Sequence, residues 1–210
     1  MINDQGDLVA QVRQYYEDKL GAFGATPRGV DWNSRESQEL RFEQLLKVCR
    51  STEGFSINDF GCGYGALAEY MIRRGYLCDY FGYDVSEKMI ETAKRKAPHS
   101  ERTCCFVSDA ALFSPADYTV ASGVFNVRLD FSDSEWEEYV LATLSKLADL
   151  SKEGFAFNML TQYSDRHLMR PDLYYANSSF FFDFCKRNFS RFVSLLHDYP
   201  LYEFTILVRN

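Results

Sequence analysis

Long hydrophobic runs are missing from this 210-residue chain. No stretch approaches the roughly 18 consecutive apolar residues that a membrane span requires, and the Met1-Ile2-Asn3-Asp4 start is polar, without the apolar segment of a secretory leader. Positive charge is in deficit. The 23 Lys and Arg stand against 30 Asp and Glu, a formal charge of −7, which argues against the basic footprint needed to grip a phosphate backbone. The chain is therefore expected in the cytoplasm, with neither a nucleic-acid nor a membrane partner. Metal-site spacing is missing too. No two of Cys49, Cys62, Cys78, Cys104, Cys105 and Cys185 have the C-x-x-C spacing of a zinc or redox site, and no metal is expected. The cysteines read as reduced, mostly buried apolar residues, with Cys104 and Cys105 on opposite faces of a strand. No internal repeat or low-complexity stretch is present.

Aromatic side chains, in contrast, are plentiful. They make up 16% of the residues, and 14 of the 34 fall in positions 155–210. With 46% hydrophobic and 25% charged residues, the composition suits one globular domain that folds without disulfides or a structural metal. The aromatic tail is then either a dense core or a pocket. Phe155, Phe157, Phe192 and Phe204 alternate within strand-like runs and are expected in the core, with Phe180 to Phe184 on a helix against the sheet.

Residues 1–52 read as a helical cap. Leu8, Val12, Tyr15, Tyr16 and Leu20 follow helical spacing up to Gly21, and after a turn-rich segment Asn33 or Ser34 caps a second helix. From 53 to 210 the pattern is one compact unit in which strand-like and helix-like runs alternate. Strands are expected at 55–60, 80–83, 104–107, 118–122 and 154–160. Helices are expected at 66–74, at 87–96 behind Ser86 and ended by Pro98, and from a Ser134-x-x-Glu137 capping box to Leu150. Such alternation calls for a doubly wound α/β fold with a parallel sheet. The last two runs, 192–196 and 202–208, are too closely linked for a crossover helix and should pair antiparallel.

The chemistry begins at Asp59-Phe60-Gly61-Cys62-Gly63-Tyr64-Gly65-Ala66, between the first strand and a helix. In an open α/β sheet ligands bind there, because glycines admit close approach and the helix start offers free N–H groups. The loop satisfies both G-x-G-x-x-[GA], which suits a nicotinamide dinucleotide, and [DE]-x-G-x-G-x-G. Asp59 would repel a pyrophosphate and attract an ammonium group, which favours S-adenosylmethionine. Asp84, at the end of the next strand, could accept from both ribose hydroxyls of either cofactor. Asp109 could accept from the adenine amino group or simply cap a turn.

Taken with Gly82-Tyr83-Asp84-Val85-Ser86-Glu87-Lys88-Met89, Ser108-Asp109-Ala110 and Tyr118-Thr119-Val120-Ala121-Ser122-Gly123, the loop resembles the class I S-adenosylmethionine-dependent methyltransferases over about residues 53–160. The resemblance implies a Rossmann-like seven-stranded sheet with only the last strand reversed. It puts Asp59, Gly61, Cys62 and Gly63 under the methionine part and Asp84 on the ribose. Val85 and Met89 would flank the adenine, with Asp109 and Ala110 near its amino group and Ser122 and Gly123 beside the methyl. Asn58 departs from the pattern, being polar where the family usually has an apolar strand residue.

In small-molecule members an N-terminal helical segment closes over the cofactor, and Tyr16, Trp32 and Arg41 stand in that region. Arg41 could hold the methionine carboxylate or pair with Glu39 or Glu43 in solvent, and the two aromatics could face the sulfonium or pack the cap. The Asn- or Asp-Pro-Pro-aromatic tetrad of nucleobase and glutamine N-methyltransferases is absent after the fourth strand, where Asn126 and Arg128 are candidate substrate contacts. Residues 161–179 form a long stretch without obvious secondary structure, expected to be a lid or binding loop with Tyr174 and Tyr175 as pocket walls. Within it His167 is the candidate general base, preferred over His99 and His197. The expected activity is methyl transfer to a small polar acceptor, a sugar or metabolite hydroxyl or a carboxylate, by a monomer or homodimer. The alternatives are an amine acceptor, a dinucleotide-dependent oxidoreductase and a non-catalytic cofactor-binding regulator.

Overall fold

The computed structural model describes residues 4–97 and 102–210; Pro98 and His99 lie outside the described residues. Seven strands form one sheet: β1 (Glu53–Phe60), β2 (Leu77–Tyr83), β3 (Cys104–Val107), β4 (Ala116–Ala121), β5 (Ser151–Leu160), β6 (Phe192–Leu196) and β7 (Glu203–Arg209). Their order is β3-β2-β1-β4-β5-β7-β6. The first five run parallel, and β7 lies antiparallel to both β5 and β6, so it alone is reversed. The order turns back at β1, whose neighbours are β2 and β4. The carboxyl ends of β1 and β4 therefore open a crevice at the switch point where such sheets bind ligands.

Alternation along the central strands divides the core between two faces. Ile57, Tyr118, Val120, Ala156 and Leu207 pack on one side with α2 (Arg35–Leu46), α3 (Ala66–Arg73) and α4 (Glu87–Lys96). Phe155, Phe157, Phe204, Ile206 and Val208 pack on the other with α1 (Asp4–Phe23), α5 (Asp133–Asp149) and α6 (Ser178–Asn188). Asn58, polar within β1, donates from Nδ2 to the Ser114 carbonyl at 2.9 Å and so holds the turn entering β4.

Three expectations are corrected. The capping box of α5 is Ser132 with Glu135, whose carboxylate accepts from the Ser132 N–H at 2.8 Å. Both Ser132 and Ser134 precede a Glu by three residues, and the helix starts at the earlier one. Phe192 is exposed because β6 is the sheet edge, and Phe180, beside the buried Phe181, is partly exposed too. No helix among the described residues is long and apolar enough to cross a membrane.

Candidate functional site

The loop leaving β1 needs its glycines. Gly61, Gly63 and Gly65 have φ of 80°, 53° and 83°, the left-handed region where a side chain is strained. A Cβ on Gly61 would also lie 2.5 Å from Val124. Asp84 fastens the loop: its carboxylate accepts from the Gly63 N–H at 2.9 Å and from the Ser86 N–H at 2.9 Å. Burial pushes the Asp84 carboxyl up to about 6, against the lowering effect of those two N–H groups and with Glu17 raising it further. Ser86 caps α4 by accepting from the Met89 N–H, and its hydroxyl donates to Glu17 of α1 at 2.9 Å. The cap helix is thereby tied to the carboxyl end of β2.

Between α1, the loop and α5 lies a cavity of about 180 Å³. Its lining includes Tyr16, Trp32, Gly61, Gly63, Asp84, Val85, Met89, Ser122 and Gly123, nine of the residues expected to hold a cofactor. A side cavity of about 40 Å³ shares Val30, Trp32, Gly61, Gly63 and Ser122 with it and is bounded by Asp59 and Cys62. Asp59 is 2% exposed and accepts from the Tyr80 hydroxyl at 2.5 Å. Burial pushes its carboxyl up to about 7; the Tyr80 bond lowers it and Asp84 raises it. The two cavities adjoin along these shared residues, with Asp84 in the lining of the larger and Asp59 in that of the smaller. The Ser122 hydroxyl is buried there with no hydrogen-bond partner among the described residues, a group ready for a ligand.

The structure places three expected cofactor residues elsewhere: Asp109, Ala110 and, as described below, Arg41. Asp109 and Ala110 are exposed and line neither cavity, because Asp109 accepts from the Ala111 N–H at 2.9 Å and caps the 3-10 turn Ala110–Leu112. Conversely, Val9, Val12 and Arg13 of α1 and Tyr139, Thr143 and Lys146 of α5 line the larger cavity and were not foreseen. Their spacing of three and four residues along each helix was the available signal.

A third cavity, of about 390 Å³, lies beyond Tyr16, Val30 and Trp32, which border both it and the 180 Å³ cavity. Trp32 abuts Gly123 so closely that a Cβ there would lie 2.3 Å from the indole. Neither expectation for Arg41 holds. It is 7% exposed and its Nε donates to both carboxylate oxygens of Glu203 at 2.9 Å, with Nη2 at 2.5 Å from Oε1. The guanidinium also lies over the Trp32 ring, 3.9 Å from its centre. Glu203 is fully buried and accepts in addition from Asn158 Nδ2 at 2.6 Å, while Asn158 Oδ1 accepts from the Gly123 N–H at 2.8 Å. A buried polar chain thus runs from the cap to the end of β4. Glu203 was not foreseen, although an acid opening an apolar strand was a visible anomaly.

Of the acceptor-side candidates, Asn126 and Tyr175 line this third cavity and His167, Tyr174 and Arg128 do not. Tyr174 is 7% exposed, packed in the core with its hydroxyl 3.2 Å from Glu137. Arg128 donates to the Phe131 and Pro171 carbonyls and pairs with Asp133, which braces two loops. His167 sits exposed on the 3-10 turn Arg166–Leu168 while its neighbour Leu168 borders the cavity. At the mouth Asp31, itself at φ 61°, accepts from Lys19, Tyr15 and Arg170. The cap and the 161–177 segment are thereby linked. No cluster of potential metal ligands occurs among the described residues.

Residues 57–154 match the family described as a methyltransferase domain. A protein of Mycobacterium tuberculosis (strain ATCC 25618 / H37Rv) named "Putative methyltransferase Rv1506c" is 50% identical over 165 residues, spanning 79% of this chain and 99% of that one. Among solved structures, magnesium protoporphyrin IX methyltransferase from Synechocystis PCC 6803 with bound SAH gives a TM-score of 0.66 at 18% identity, over 96% of this chain and 99% of that one. The plantazolicin methyltransferase BpumL in complex with SAH gives 0.57 at 14% identity, over 98% of each chain. These two likenesses show the fold. Together with the glycine loop, the Asp84 clasp and the half-identical relative spanned almost end to end, they lead to one conclusion: the chain belongs to the class I S-adenosylmethionine-dependent methyltransferases.

Proposed function

We propose that this methyltransferase modifies a small polar molecule at oxygen, with the larger and side cavities holding S-adenosylmethionine and the third holding the acceptor. The observation that carries the reading is the contact between cofactor and acceptor cavities at Tyr16, Val30 and Trp32, beside Gly123. The cofactor supplies a methyl group on a positive sulfur, already activated for displacement. Such a reaction asks the protein mainly to align and to exclude water. Asp84 would receive the ribose hydroxyls, Val85 and Met89 the adenine, and Asp59 the ammonium end. Tyr16, whose hydroxyl is 3.5 Å from the Gly123 carbonyl, and Trp32 would close the site around the transferred group. Residues 1–52 act as its cap. His167 receives no proton-transfer role in this reading, since it lines none of these three cavities. The absence of the Asn- or Asp-Pro-Pro-aromatic tetrad argues against a nucleobase or glutamine nitrogen as the acceptor.

The test is a thermal melt with S-adenosylhomocysteine and, separately, with NAD. The first should raise the melting temperature and the second should not, and Asp84→Ala should weaken binding of the first. Stabilisation by NAD alone would sink the assignment of both cavities.

A further inference from the structure

The third cavity is uncharged in effect, and one buried donor in its wall lacks a partner. Four charged residues border it: Asp31, Arg41, Arg170 and Glu203. Each is already paired. Arg41 and Glu203 satisfy one another at the floor, and at the mouth Arg170 bonds Asp31 at 2.9 Å and Asp172 at 2.5 Å while Lys19 holds the other Asp31 oxygen at 2.7 Å. The Tyr175 hydroxyl accepts from the Arg170 N–H, and the Ser164 hydroxyl donates to the Thr161 carbonyl. Asn126 differs. It is 4% exposed, its Oδ1 accepts from the Leu160 N–H at 3.1 Å, and its Nδ2 has no partner among the described residues. A buried donor left unmade costs about 1–3 kcal/mol, so its survival points to a bond made in the complex. Apart from the exposed Asn33, the remaining walls are apolar or aromatic, among them Val127, Leu160, Leu173, Trp32, Tyr175 and Tyr202.

We infer that the cavity takes an uncharged, hydroxyl-bearing ring held by a hydrogen bond from Asn126 Nδ2 to an oxygen beside the hydroxyl that is methylated. The inference rests on the third cavity being the acceptor site. A carboxylate or ammonium group brought there would be desolvated with no opposite charge free to meet it. In the transfer, a lone pair of the hydroxyl oxygen forms the new O–C bond and the C–S bond breaks. Its electron pair returns to sulfur, and the hydroxyl proton passes to water. Asn126 is a positioning residue: it holds the neighbouring oxygen and thereby sets the approach of the hydroxyl.

The experiment uses protein saturated with S-adenosylhomocysteine and four probes sharing one phenol ring: 2-hydroxyacetophenone and salicylamide (neutral), salicylate (anionic) and 2-hydroxybenzylamine (cationic). Ligand-observed NMR titrations at pH 7.5 should rank the neutral pair at least about tenfold tighter than either charged probe. Asn126→Asp keeps the acceptor for Leu160 but exchanges the free donor for a carboxylate, so the ranking should turn toward the cationic probe. Its affinity for S-adenosylhomocysteine should stay unchanged, since Asn126 lines neither cofactor cavity. Equal or tighter binding of a charged probe to the wild type, no binding by any probe at about 10 mM, or an unchanged ranking in Asn126→Asp overturns the inference; the wild-type ranking needs no variant. Leu160→Trp, which narrows the cavity, separates the two levels. If the probes bind it as before, the ring lies elsewhere and the acceptor-site reading itself fails.

Discussion

Breaking the ion pair between Arg41 and Glu203 should destabilise the protein far more than any surface pair does. Glu203→Ala leaves a guanidinium that is 8% exposed without its carboxylate, and leaves Asn158 Nδ2 without an acceptor. Removing one partner of a buried pair costs about 3–5 kcal/mol, and an orphaned amide donor adds about 1 kcal/mol or more. For a chain of this size 1 kcal/mol moves the melting temperature by about 2–4 °C, so a fall of roughly 8–24 °C is expected. Arg41→Met combined with Glu203→Leu removes both charges and fills the space with apolar atoms. It should cost less than either single change, leaving mainly the orphaned Asn158 donor. Urea melts followed by far-UV circular dichroism measure Glu203→Ala, Arg41→Met, Glu203→Leu and the double variant, and the coupling energy follows from the cycle of the last three. Singles that each cost under about 1 kcal/mol would give the pair the worth of an exposed one. A double variant costing the sum of the singles would show that the two charges do not act on each other. Either result refutes the reading of Arg41 and Glu203 as a coupled buried pair.

Asp59 and Asp84 make the ligand-free protein lose stability as pH rises. Both carboxyls are raised, to about 7 and about 6 from 3.8. The folded chain therefore holds more protons than the unfolded one between about pH 4 and 7, and stability falls across that window before levelling. Asp59→Asn keeps an acceptor for Tyr80 and should remove the larger share. The gain would reach as much as about 4 kcal/mol at pH 8 and vanish near pH 4, while affinity for S-adenosylhomocysteine falls. Denaturant melts at pH 5 and 8 that differ equally in wild type and variant would contradict this. Gly123→Ala places a Cβ 2.3 Å from the Trp32 indole at a φ of 73°, so the indole must move. Calorimetry should show a loss of S-adenosylhomocysteine affinity of about tenfold or more, and unchanged affinity would mean that Trp32 does not wall the cofactor cavity.

The cofactor half of the site was readable because its parts are local. Glycines 61, 63 and 65, Asp84 with Ser86 and Met89, and Ser122 with Gly123 each lie on a short segment at the carboxyl end of a strand. The strand order brings those ends together. A motif therefore carries its own geometry. Asp109 escaped this logic because a turn that begins with an acid is capped whether or not a ligand is near, and sequence alone offers no distinction. The acceptor half follows a different rule. Arg41 and Glu203 are 162 residues apart, and their meeting depends on β7 being inserted between β5 and β6 with Glu203 at its start, facing α2. A local reading could only pair Arg41 with its helix neighbours Glu39 and Glu43. The same cause misplaced His167 and Tyr174: 161–177 folds back through single bridges, Val127 to Leu173 and Thr161 to Ala176, and these decide which side of the segment faces the cavity. Leu168, Arg170 and Tyr175 are turned in, and His167 and Tyr174 are not. On the proposed function, acceptor choice follows from long-range pairing of the C-terminal strands with the N-terminal cap. Substitutions at the β7 start should alter specificity while leaving the glycine loop and its cofactor in place.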